Sequence, residues 1–112
     1  MDRIKDDKYY LEKVVKDIKY LLRVTKDVSK IELEENETLL DSVMFRFIQI
    51  SENIKRLTEK LKNDNPHIPW VLVIGLRNRI VHEYGTVDIT VIYDVLKENL
   101  NKLYKDLKEL IL

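Results

Sequence analysis

The stretch Gly75-Leu76-Arg77-Asn78-Arg79-Ile80-Val81-His82-Glu83-Tyr84 brings together a guanidinium, an amide, an imidazole and a phenol. An arginine can grip a phosphate through two parallel N–H groups and offset charge that develops on it during reaction. Histidine, with an unperturbed pKa of about 6.5, gives or takes a proton near neutrality. That inventory suits RNA cleavage. There the ribose 2′-hydroxyl attacks the adjacent phosphorus, a base takes its proton, and an acid protonates the leaving oxygen. Asn78 can orient either group. The chain has two histidines, no cysteine and no His-Glu-x-x-His spacing, so neither a metal nor another cofactor is expected.

These residues need a rigid element under them, and the apolar spacing supplies one. Trp70, Ile74, Arg77, Val81 and Tyr84 step by four and three, which predicts a helix over about Pro69 to Tyr84. Its first half is apolar on nearly every side, as in a buried helix, and Pro69 suits its first turn. Arg77 on such a helix needs either an internal acid, with Glu52 and Asp41 available, or a cleft where an anion binds. Gly85 can end the helix in the left-handed conformation, and Asp88 can cap the next, with Val87 and Ile92 as a staple across the cap.

Three further helices are legible. One covers about Asp2 to Lys26, and a second, the most regular, about Glu37 to Lys62 through Leu40, Val43, Phe47, Ile50, Ile54, Leu57 and Leu61. A last helix runs from Asp88 to the chain end. Asp27 to Glu35 reads as a loop with a short helical turn, and its acidic run as a solvated approach to the next helix rather than a cation site. The fold class expected is all-α, an antiparallel four-to-five-helix up-and-down bundle, in one domain over residues 1–112.

With only two glycines and two prolines, the chain has too little punctuation for an all-β domain. Its 20 basic and 20 acidic residues cancel, so any surface that attracts RNA has to be local. No apolar run approaches the ~20 residues of a membrane span. Met1 to Asp7 is too charged for a signal peptide. A cytoplasmic protein is expected.

Arg–His spacing alone leaves two readings open: a buried Arg–acid pair with a capping histidine, or a ribonuclease site. Arg77, His82 and Tyr84 also resemble the Arg-x-x-x-x-His-x-Tyr motif of HepT-like toxin ribonucleases of the HEPN superfamily. The surroundings fit: Ile68-Pro69-Trp70, Ile74-Gly75-Leu76-Arg77-Asn78 and Tyr84-Gly85-Thr86-Val87-Asp88. So do Leu40-Asp41-Ser42-Val43 and Phe45-Arg46-Phe47-Ile48-Gln49-Ile50-Ser51-Glu52 on the second helix. Val71 departs from the family, where a basic residue often follows the tryptophan.

The resemblance implies a HEPN-type homodimer whose motif helices line one RNA cleft. It implies a metal-independent endoribonuclease toxin of a type VII toxin–antitoxin system, with Arg77 and His82 catalytic and Asn78 in support. The implied partner is an MntA-like nucleotidyltransferase antitoxin that transfers AMP to Tyr84. A HEPN subunit that binds RNA or nucleotide without cutting is the alternative. From the residues themselves, Arg46, Gln49, Asn53 and Arg56 form a polar stripe that can track an RNA backbone beside Arg79. Glu52 can orient Arg77 or Arg79. Trp70 reads as core, His67 as surface, and Tyr9-Tyr10 as packing at a protomer contact.

Overall fold

A computed structural model describes residues 4–83 and 85–111; Tyr84 lies outside the described residues. Helix α1 (Asp7–Val24) starts where Asp6 accepts the N–H of Tyr9 at 3.0 Å, and it buries Leu11, Val14, Ile18 and Leu21. Ser29 caps the short α2 (Lys30–Glu35), and its hydroxyl donates to the Glu32 carboxylate at 3.1 Å, so part of the acidic run serves a helix start. Asn36 then caps α3 (Glu37–Lys55), the helix at the centre of the molecule, on which Val43, Phe47, Ile50 and Ser51 have no exposed surface.

The single helix expected over Glu37 to Lys62 is interrupted. Arg56 ends α3, Leu57 turns inward, and α4 (Glu59–Asp64) starts afresh from Thr58. The cause is local competition for the backbone. The Thr58 N–H and hydroxyl donate to the two carboxylate oxygens of Asp7, at 2.9 and 2.6 Å, while the same hydroxyl oxygen accepts the Leu61 N–H. The elbow is thereby tied to the first turn of α1, which begins at Asp7; the expected start at Asp2 lies outside the described residues.

Helix α5 (Trp70–His82) follows the Asn65–Pro69 loop. Trp70 is core, and its indole N–H donates to the carbonyls of Lys62 and Asn65 at 3.2 and 3.1 Å, which sets where the helix begins. Gly85 takes φ 90° in the turn that follows. Asp88 caps α6 (Ile89–Asp94), and the Thr90 N–H, then Lys30 and Arg79, hold its carboxyl below the usual range. A π-turn over Val95–Asn99 leads into α7 (Leu100–Ile111). Helices α5, α3, α1 and α7 lie side by side in that order around one continuous apolar core, with no strand among the described residues. None of the described helices is long and apolar enough to cross a membrane.

Because α5 stands at one end of that row, only one of its sides is covered. The buried side carries Trp70, Val73, Leu76 and Ile80. A helix buried all round was expected; instead Val71 is 76% and Val81 42% exposed.

Candidate active site

Arg77 sits on the flank of α5 where the helix meets α3. Its Nε lies 3.4 Å from a carboxylate oxygen of Glu52, and its Nη1 donates to the Asn78 side-chain oxygen at 3.2 Å. Of the two acids considered for it, Glu52 is the partner and Asp41 is not. The Glu52 contact is electrostatic only: the buried Nε–H has no acceptor in hydrogen-bonding geometry. Glu52 keeps 41% of its side chain in solvent and Arg77 26%, so the pair is not sealed inside the core. A buried donor left without an acceptor is rare in folded proteins and calls for an explanation.

His82 occupies the last turn of α5 and is exposed. Five positions separate it from Arg77, about 140° round a helix axis. The two side chains therefore leave one protomer in different directions: Arg77 toward α3, His82 outward. Asn78 bridges the gap, one turn before His82 and bonded to Arg77. Val71, Gly75, Asn78 and His82 form a straight exposed strip at steps of four, three and four. A Cβ on Gly75 would meet nothing within 4 Å, so packing inside this chain does not require glycine there. The four-residue spacing of Asn78 and His82 already puts these two on one face; that Val71 and Gly75 continue it was not legible, because α5 before Arg77 is so apolar that no polar face marks which side lies outward.

The other residues singled out from sequence are placed as follows. Arg46 donates to Asp17 at 2.7 Å and stacks over the Tyr20 ring at 3.9 Å, on the α1 side of α3. Arg56 ends α3 with its guanidinium 5.8 Å from the centre of the Tyr10 ring. Arg79 is exposed near Asp88, and His67 is exposed in the loop. Gln49 and Asn53 are half-buried beside Arg46, so the stripe on α3 exists, but it faces α1 rather than Arg79. Tyr9 and Tyr10 meet edge to face at 5.1 Å. Among the described residues no three His, Cys, Asp or Glu side chains converge as a metal site needs.

A helical row with an Arg–His motif on its terminal helix defines an all-α bundle of the HEPN type. The family model described as "Ribonuclease HepT-like" matches residues 14–110, and the chain belongs to that family. A protein of Caldanaerobacter subterraneus subsp. tengcongensis named "Putative RNase" is 23% identical over 108 residues, 96% of each chain. Another "Putative RNase", from Methanocaldococcus jannaschii, is 26% identical over 106 residues, 95% of this chain and 85% of its own. The "Probable ribonuclease HepT" of Thermococcus cleftensis is 25% identical over 96 residues, 86% of this chain and 87% of its own. No solved structure matches the chain.

Proposed function

We propose that the protein is a metal-independent endoribonuclease, with Arg77 and His82 as its catalytic residues. The observation that carries this is the Arg77 guanidinium, whose side chain is 26% exposed beside Asn78 rather than sealed on an interior carboxylate. A phosphate oxygen is the natural acceptor for such a group. His82 in its neutral form takes the proton of a ribose 2′-hydroxyl, and that oxygen attacks phosphorus. The bond to the 5′-oxygen breaks, that oxygen takes a proton from an imidazolium, and a 2′,3′-cyclic phosphate remains. Arg77 offsets the charge gathered on phosphorus's outer oxygens.

Two side chains pointing about 140° apart on one helix do not meet over one phosphate. A second copy facing the strip Val71, Gly75, Asn78, His82 supplies what one protomer lacks, and the homodimer is part of this reading. The Gly75→Ala protein tests it. Alanine should stabilise the dilute monomer by about 0.5–1 kcal/mol in urea denaturation, since a glycine inside a helix is costly. It should also weaken self-association in sedimentation, because the added methyl stands where two helices approach. A parent protein that stays monomeric at high concentration ends the dimer proposal.

Regulation follows from the motif likeness. A nucleotidyltransferase antitoxin of the MntA type brings ATP. The Tyr84 phenol oxygen attacks the α-phosphorus, pyrophosphate leaves, and the phenol proton is released. Bulk and negative charge then stand two residues from His82, where RNA phosphate would bind, so the toxin is silenced. The experiment has two arms. Purified protein in excess EDTA should cut single-stranded RNA, and RNA that is bound but left whole would favour the non-cutting subunit instead. Incubation with the partner and ATP should add one AMP to Tyr84 by mass spectrometry; AMP on another residue would remove this regulatory assignment.

A further inference from the structure

Positive charge is concentrated between α1 and α3, in a chain whose formal charges cancel. Two adjoining cavities of about 380 and 530 Å³ share Lys16 and Arg46 as common walls. Five cations line the combined groove: Lys13, Lys16, Lys19 and Arg23 from α1, and Arg46 from α3. Its lining includes one carboxylate, Asp17, which Arg46 already engages at 2.7 Å. Lys16, Lys19 and Arg23 step by three and four along one side of α1, and none of them has an ion pair among the described residues.

Aromatic rings are interleaved with this charge. The Arg46 guanidinium stacks on the Tyr20 ring, Arg23 lies 5.6 Å from the same ring's centre, and Phe45 stands 57% exposed in the groove wall. An exposed phenylalanine beside a row of cations fits a polymer that alternates flat bases with phosphates. An acidic protein surface would use the cations and leave the ring in water. Phe45 and Gln49 also lie seven and three positions before Glu52 on α3, and Glu52 touches Arg77. Phe45 and Glu52 therefore lie on one face of α3, between the groove on its α1 side and Arg77 on its α5 side.

We propose that this groove holds the backbone of single-stranded RNA and leads the strand to Arg77 and His82. Its destination rests on the ribonuclease reading, whereas binding in the groove is measured separately. The probe is fluorescein-labelled oligouridine of about 15 nucleotides, long enough for a single-strand site. Anisotropy titrations over a range of salt use the His82→Ala protein, so that the probe stays whole. Each neutralised phosphate adds about 0.7 to the slope of log affinity against log salt for single strands. In that background, Lys16→Gln/Lys19→Gln/Arg23→Gln should lower the slope by about 2 and affinity at least about tenfold.

Lys105→Gln/Lys108→Gln, on α7 outside the groove, should leave slope and affinity as they were. If the triple variant does not fold, Lys16→Gln/Lys19→Gln carries the test with a slope loss of about 1.4. A slope and affinity unchanged by the groove substitutions overturn the proposal and hand the surface to an acidic protein partner; so does a parent that binds no oligouridine. A parent that cuts RNA while the triple variant binds normally removes the groove and keeps the nuclease. A slope loss in a protein that never cuts RNA keeps the groove and removes the nuclease.

Discussion

The His82→Ala protein should cleave single-stranded RNA about 10²–10⁴-fold more slowly than the parent, the usual worth of a positioned general acid or base. Its exposed position makes the measurement clean, because an imidazole in solvent contributes little to folding. Arg77→Ala should lose about 10²–10³-fold, as when a donor to a developing oxyanion is removed. Stability should change little there too, since Glu52 remains two-fifths exposed and can be hydrated once its partner has gone. Arg77→Lys separates charge from shape: an ammonium keeps the charge but not the planar fork, so most of the loss should persist. A fluorogenic oligonucleotide in EDTA reports all three rates. An Arg77→Ala or His82→Ala protein that cuts as fast as the parent would move the active site elsewhere.

The largest stability effect is expected at Phe47. This ring is fully buried on α3, the helix with α1 on one side and α5 on the other. Phe47→Ala should cost about 3–5 kcal/mol, combining lost transfer energy with the cavity left behind. Against a total of about 5–15 kcal/mol, that is a large share of what keeps the chain folded. Phe45, two positions earlier and 57% exposed, provides the contrast: Phe45→Ala should stay within about 0.5 kcal/mol. Urea denaturation of both proteins is sufficient. Equal losses would mean that α3 is not the shared wall of the core.

The α3 seam was readable because its polar and apolar residues alternate with a clear helical period, and Val43, Phe47, Ile50 and Ile54 are all buried. The same period concealed the break at Arg56. Leu57 stays inside as the chain turns, so the apolar rhythm runs on while the helix does not. What ends the helix is Thr58, which caps α4 locally at Leu61 but is held in place by a carboxylate 51 positions away, Asp7, that no local window contains. On α5 the difficulty is the opposite. Nearly every residue before Arg77 is apolar, so spacing could not tell the stripe Trp70, Ile74, Arg77, Val81 from the truly buried Trp70, Val73, Leu76, Ile80. The residue types of the site came from its motif, and the divergence of Arg77 and His82 is already implied by five helical positions, but the Glu52 contact depends on where α3 lies. The basic groove was written in α1 as cations at steps of three and four. Its depth comes from Arg46 and Phe45, which tertiary packing brings alongside.

The π-turn at Val95–Asn99 has an effect well beyond its five residues. From it Lys97 reaches the carbonyl of Thr25 at 2.6 Å, just where α1 ends and a helix most favours a cation. Residues 72 positions apart are thereby clasped, and α7 lies along α1 beside them. The chain is closed on itself like a belt whose buckle is an ammonium on a carbonyl. Because α1 and α7 also pack on one another, loosening either uncovers apolar surface of the other, which favours unravelling in one step over fraying from an end.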